Sequence, residues 1–535
     1  MAVLWGKRGH YRAKELALSL LYPVHLVCPI ISADYTLLTT IARLCRRNDS
    51  IYNQMSRLVA FFQQRRSSGI GGNFPVSRLL EVVASLGCAL DSTLTIHSPL
   101  HVPVSLVESV GSFLGHHLRE LFRIKLWLEL RERSKQGERS DFGNLQIIDI
   151  KATTMWYRQL QSNDLAFSTL RLTLELVVTG AIATFSRLHR HQEPIFAGGS
   201  PPSSAVCPFC DALEEEDVHH LFWKCSAWES IRGPFLQRWA HRWKLPLPTS
   251  SQLAMHGLAA EDPDLLLWRK NNFTPEWQYE AAPFPSWLGD GDAQHDEECR
   301  LIVYTDGACK HQADDRIRSA GCGIFVAKDH PWNTSFVLPG VSQSSELAEL
   351  RAVVHAVEGA TAQNIDIIVK LDNEYVADHA AAILAGSLAW PASGHRLWRR
   401  LAMAQSAQLA AGGGGHAAKW IKGHSTETDV ADGILTVDER RGNLAADHLA
   451  SLAATSSGCP VDIIERAALR KLQTFEVQKY LVEILLVRRL ALIERLSPQT
   501  EIFTSQPRAG ERCNRALDMS IVQDIRSAFL ALHCF

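Results

Sequence analysis

At 535 residues, with 46% hydrophobic and 21% charged side chains, the sequence has the composition of an ordinary globular protein and room for roughly three domains of about 150 residues. The formal net charge of −2 conceals an uneven placement: residues 1–140 hold 18 Lys/Arg against 10 Asp/Glu, and residues 301–455 hold 13 against 17. Most of the 12 cysteines stand alone along the chain (Cys28, Cys45, Cys88, Cys299, Cys459, Cys513, Cys534), which excludes a secreted disulfide framework and fits a reducing compartment.

Residues 1–195 read as helical, with apolar side chains at helical spacing over 118–130 and 165–188 and polar or glycine-rich turns at 67–72 and 134–140. The start of the chain lacks the basic-then-apolar pattern of a signal peptide. The apolar runs 16–31 and 169–185 are interrupted by Pro23, His25 and Pro29 and by Arg171 and Glu175, so neither supplies the ~18 apolar residues of a membrane span. An intracellular protein of the nucleus or cytoplasm, neither secreted nor membrane-bound, is expected. A linker by composition follows at 198–204, then a cysteine/histidine element at 207–225. Residues 236–298 are rich in Pro, Trp and acids without clear periodicity and read as a connector.

The block 300–455 is different. Strands are expected over 301–305 (ending at Asp306), 321–327 and 334–338, a helix over 345–360, a strand over 366–371, and helices over 373–384 and 397–410. A strand over 418–422 and a last helix opening near Asn443 complete it. Three strands in a meander followed by alternating helix and strand indicate an α/β sheet covered by helices. Two further amphipathic helices, over 465–496 and 519–532, carry no signal of chemistry.

Four acids fall at expected strand ends or helix starts: Asp306 in TDGAC, Glu349 in SSELAELRAV, Asp372 in KLDNEYV and Asp447 in GNLAADHLA, the last opening the final helix. Carboxylates at the ends of adjacent strands converge on one rim, and like charges that close require a compensating cation. Hard oxygen ligands suit Mg²⁺ or Mn²⁺, and two such ions roughly 3.5–4 Å apart activate a water and stabilise the leaving oxygen of a phosphodiester.

These residues resemble a type 1 ribonuclease H domain along nearly the whole block. TDGA at Asp306, AEL at Glu349, D-x-x-Y-V from Asp372 to Val376, W-x-K-G-H from Trp420 to His424 and N-x-x-A-D-x-L-A from Asn443 to Ala450 stand in that family's order. The resemblance implies a five-stranded mixed sheet flanked by helices and two-metal endonucleolysis of the RNA strand of RNA–DNA hybrids. It also implies Asp306, Glu349, Asp372 and Asp447 as ligands of the two ions, with His424 assisting proton transfer or product release. Ser344, Ser345, Asn373 and Tyr375 are the candidate substrate contacts, 2′-hydroxyls being what separates RNA from DNA. Trp420 is expected in the core, and residues 425–441 form a long acidic loop after His424.

Cys207, Cys210, Cys225 and His219 or His220 have the spacing of a tetrahedral structural zinc site, with His220 preferred. The segment CPFCDALEEEDVHHLFWKC resembles the zinc-binding segment that follows the reverse transcriptase of non-long-terminal-repeat retrotransposons, and TGAIATFSRLHRH resembles the helical region before it. Domains are therefore expected at 1–195 (a basic, thumb-like remnant of a reverse transcriptase), 200–235 (a CCHC-type zinc segment), 236–298 (connector), 299–456 (ribonuclease H) and 457–535 (helical tail). A polymerase needs paired aspartates on a hairpin, and the lone pair Asp314-Asp315 reads as a solvated turn, so no reverse transcriptase activity is expected. The alternative reading is a retroelement-derived protein that binds nucleic acid without cutting it.

Overall fold

The computed structural model describes residues 29–47, 49–65, 75–98, 103–107, 114–115, 117–126, 147–160, 165–195, 200–272, 283–286, 293–340, 342–387 and 395–496, with positions 523, 527, 528 and 531. The turns expected at 67–72 and 134–140 lie outside the described residues, as does the helix expected over 519–532 save for those four positions. The chain divides into two compact units, one from 1–32, 122–262 and 465–535, the other from 33–121 and 263–464.

The second unit holds a five-stranded mixed sheet in the order β3-β2-β1-β4-β5. Its strands are β1 (Leu301–Lys310), β2 (Ser319–Phe325), β3 (Thr334–Val337), β4 (Ile367–Leu371) and β5 (Ala417–Trp420). β1 to β3 form the antiparallel meander, while β4 runs parallel to β1 and β5 parallel to β4. The helices are α1 (Ser345–Ala362), α2 (Glu374–Leu384), α3 (His395–Ala410), α4 (Glu427–Ala431) and α5 (Val437–Ser456). This is the sheet and helix arrangement the family resemblance implies. Alternation along β1 sends Leu301 and Val303 into the core beneath α1 and α3, and Ile302 and Tyr304 into a second cluster with Ile368, Ile421 and Ala446 of α5. A stacked pair, Phe284 and Trp332 with ring centroids 4.8 Å apart, closes the first core.

Most element ends shift by one or two residues from the sequence reading, and two boundaries bear on the acids. β1 does not end at Asp306: Asp306 pairs with Gly323, and the ladder to β2 continues to Lys310 opposite Ser319. The last helix starts at Val437 rather than near Asn443, because Thr436 and Glu439 form a capping box that the glycine at 442 had obscured. Asp447 therefore lies in mid-helix. The long loop expected at 425–441 is correspondingly structured, with a capping box at Thr426 and Asp429 opening α4.

α5 lies directly on the backbone of β2. A Cβ on Gly321 would stand 2.3 Å from Ala454 N, and one on Gly323 2.2 Å from Ala446 O, so glycine is what permits this approach. The 33–121 part of the unit is helical (Asp49–Arg65, Pro75–Ser85) but adds a three-stranded antiparallel sheet, Ala89–Leu90, Thr95–His97 and Val104–Ser105, too short for a sequence pattern to reveal.

The first unit is helical, with Ile150–Gln159, Leu165–Val178 and Phe185–His191 preceding the cysteine/histidine element. Residues 236–262, expected as an irregular connector, contain most of the helix Glu229–Trp243 and all of Gln252–His256. The 36-residue helix Val461–Leu496 supplies the unit's C-terminal part from residue 465 on. Glu216 is fully buried there and accepts two hydrogen bonds from Arg488, at 2.8 and 2.6 Å, and one from Phe185 N at 2.8 Å. Tyr480 donates to Phe222 O, and its ring stacks on Phe235 at 4.2 Å.

Candidate functional site

The carboxylate cluster follows from strand register. β1 pairs with β4 as far as Tyr304 opposite Lys370, so two residues further along the parallel strands Asp306 meets Asp372, just past the end of β4. Glu349 joins them from α1, a turn after the Ser344 N-cap whose hydroxyl accepts from Leu347 N. Oxygen atoms of Asp306, Glu349 and Asp372 all lie within 4.8 Å of one another. Asp306 and Glu349 are buried and Asp372 is half-buried. Asp447, exposed on α5, stands outside this close set, though its charge acts on Asp306.

The electrostatics are those of anions held together against solvation. Burial, and then the Asp372 charge, push the Asp306 carboxyl up to about 7. Burial pushes Glu349 well above the ordinary carboxylate range, with Asp306 and Asp372 adding to it. Hydrogen bonds offset part of this: Asp306 Oδ1 accepts from Gly307 N at 2.7 Å, and Glu349 Oε1 from Asn373 N at 3.1 Å. An all-oxygen donor set this close, two of its members held above their normal pKa, fits a hard divalent cation.

Three groups around Asp372 escaped the sequence reading. Asn443 of α5 donates its Nδ2 to Asp372 Oδ2 at 3.2 Å, a contact signalled only by its place at the head of the N-x-x-A-D pattern. Trp420, expected in the core, is 44% exposed, and its indole Nε1 donates to Asp372 O at 2.9 Å. It stands at the end of β5, an edge strand of the sheet. Gly423 packs so close that a Cβ there would sit 2.5 Å from Asp372 Oδ2.

The remaining expected site residues are dispersed. His424 is exposed, outside the carboxylate set, in a turn with φ of +46°, a left-handed conformation costly for a side chain with a Cβ. The turn is flanked by the ion pair Lys422–Asp429 at 2.5 Å. Asn373 spends its side-chain oxygen capping α2 through Val376 N, as Ser344 caps α1. Ser345 opens α1 half-buried, and Tyr375 is exposed with its ring 4.3 Å from His379. Asp314, read as part of a solvated turn, is 3% exposed and holds the buried Arg316 guanidinium at 2.9–3.0 Å, a structural ion pair.

Ligand atoms of Cys207, Cys210, His220 and Cys225 also lie within 4.8 Å of one another, and His219 is not among them. Cys207 Sγ is 3.7 Å from Cys225 Sγ, and Cys210 Sγ is 3.3 Å from His220 Nε2. His220 opens a π-helical turn, His220–Lys224, and its Nδ1 lies 3.2 Å from Glu214 Oε2, which leaves Nε2 turned to the sulphurs. The Cys225 contact and burial drive the Cys207 thiol up, while the same contact lowers Cys225, the pattern of a thiol sharing its proton with a neighbouring thiolate. Three sulphurs and an imidazole are a soft, closed set that can hold zinc.

Residues 298–455 match the family model described as RNase H. Human Ribonuclease H1 is 41% identical over 69 residues, 13% of this chain and 23% of that protein. Ribonuclease H of Schizosaccharomyces pombe is 34% identical over 76 residues, 14% of this chain and 27% of that protein. The chain thus spans about a quarter of the length of these curated relatives. Among solved structures, the prototype foamy virus RNase H domain is 23% identical over 29% of this chain and 94% of its own, with a TM-score of 0.23. The foamy viral protease–reverse transcriptase in complex with an RNA/DNA hybrid is 18% identical over 32% of this chain and 22% of its own, also with a TM-score of 0.23. By topology and family match, residues 298–455 carry an RNase H domain.

Proposed function

We propose that this domain is an endonuclease that hydrolyses the RNA strand of RNA–DNA hybrids, with Asp306, Glu349, Asp372 and Asp447 holding two Mg²⁺ or Mn²⁺ ions. The observation that carries the reading is the convergence of Asp306, Glu349 and Asp372 within 4.8 Å at the rim of the sheet. Two bound divalent ions would supply an activated water and charge stabilisation of the leaving oxygen. The chain's own groups do the rest. Glu349 and Asp306 give up the protons that burial holds on them, Asn443 and Gly423 fix the Asp372 carboxylate, and the His424 imidazole exchanges a proton with the leaving 3′-oxygen. Ser344, Ser345, Asn373 and Tyr375 line the proposed approach of the hybrid. The Cys207, Cys210, His220 and Cys225 set holds a structural zinc, and the chain derives from the C-terminal part of a retrotransposon polyprotein without polymerase activity.

A second reading, nucleic-acid binding without cleavage, draws on the position of Asp447 outside the close set. One experiment separates the two: incubation of a labelled RNA–DNA hybrid with Mg²⁺, Mn²⁺ or EDTA, beside Asp372→Asn and single- and double-stranded DNA controls. Metal-dependent cutting confined to the hybrid's RNA strand, reduced at least a thousandfold in the variant, is expected. A folded, metal-supplemented protein that retains the hybrid but leaves it whole would establish the second reading instead.

A further inference from the structure

In the first unit a cleft of about 1000 Å³ opens between the helix Glu229–Trp243 and the 465–496 part of the C-terminal helix. Its apolar floor includes Ile231, Pro234 and Phe475. Its walls carry Arg238, His241, Arg242 and Lys244 from the first helix and Lys479 from the second, against Glu476 and Glu483. Glu476 is consumed inside the protein, by an ion pair with Arg242 and a 3.0 Å hydrogen bond from Trp243 Nε1. That leaves Arg238, Lys244 and Lys479 against Glu483, a net surplus of two positive charges before His241 is counted. Among the described residues these three cations and His241 form no ion pair.

Cations at the end of the first helix would complement its macrodipole whether or not anything bound there. Lys479 has no such explanation, since it lies well inside a 36-residue helix and points into the same cleft. Unpaired cations from two helices, converging over an apolar floor, match a strand that carries phosphates along one side and base faces along the other. We infer that this cleft binds single-stranded nucleic acid, a contact separate from the carboxylate site and on the other structural unit. A duplex carries its phosphates around the outside of a rod and cannot enter such a cleft, and an acidic peptide has no need of the apolar floor. The inference draws on the proposed function only for the expectation that the chain works on nucleic acid.

The test is fluorescence anisotropy of a labelled single-stranded RNA titrated with full-length, zinc-loaded protein without added Mg²⁺ or Mn²⁺, over a range of salt. The variant Arg238→Gln/Lys244→Gln/Lys479→Gln is set beside a control, Arg158→Gln/Arg190→Gln/Lys270→Gln, that removes as many exposed charges elsewhere. Cleft neutralisation is expected to weaken binding at least tenfold. It should also reduce the slope of log affinity against log salt by about 2, three contacts at about 0.7 each. The control should do neither. An equal loss in both variants, no loss in either, or a polyglutamate peptide binding the cleft as tightly as the RNA would each overturn the inference. Hybrid cleavage with Mg²⁺ is read separately on the same variant, so loss of the cleft and loss of the nuclease reading give different results.

Discussion

Two buried carboxylates beside a third resist ionisation, and this makes the metal-free site a source of pH-dependent instability. Asp306 moves from 3.8 to about 7, and Glu349 also moves upward. The folded state therefore holds more protons than the unfolded state between about pH 4 and pH 7, so its stability falls as pH rises through that window. Without divalent ions the melting temperature should drop across it, and millimolar Mg²⁺ or Mn²⁺ should remove the drop. A metal-free profile that is flat or rises between those limits would contradict the cluster. Asn443 offers a second test, because its Nδ2 is bonded to Asp372 Oδ2 without belonging to the ligand set. Partners of this kind typically change metal affinity or activity by 10–100-fold. Asn443→Ala should raise the Mg²⁺ concentration for half-maximal cleavage about tenfold while melting within a few degrees of the parent protein.

At the scale of elements, the site depends on how closely α5 approaches β2. Gly323 faces Ala446 O, one residue before Asp447 and three after Asn443, so a side chain there forces the helix outward. Gly323→Val should cost about 1–3 kcal/mol or more in denaturant unfolding, as overpacking does. It should also abolish cleavage, whereas a variant that keeps full activity would show that α5 does not position the site. The sequence made the acids legible because each sits in its own short local pattern, and β1 and β4 because they are apolar runs. It misplaced the start of α5, since Gly442 resembles a helix boundary while the true signal, Thr436 with Glu439, lay in a stretch read as loop. It also misread Trp420 and Asp314. The first stands half-exposed at the end of an edge strand, a position set by strand order, and the second is drawn inward by the Arg316 guanidinium two residues on, whose own burial the local pattern does not reveal.

At the scale of the chain, the first unit is assembled from segments far apart in sequence, which hydrophobic spacing alone could not reveal. Glu216 lies four residues before His220 and is bonded to Arg488, 272 positions away. Phe222, within the π-helical turn, accepts from Tyr480, 258 positions away. The cysteine/histidine element is too small to fold around its own core, so a metal bound there would contribute to folding. Ordering 207–225 places Glu216 and Phe222 O where the C-terminal helix can use them. Arg488→Ala leaves Glu216 buried beside only the Phe185 amide, and removing one partner of such a pair costs about 3–5 kcal/mol. Removal of the proposed zinc by a chelator should therefore speed hydrogen exchange in two places, at 207–225 and at the distant amides of 478–490. Arg488→Ala should produce the same two-site pattern with zinc still bound. If chelation exposes 207–225 alone and leaves 478–490 protected, the C-terminal helix is held independently of the metal.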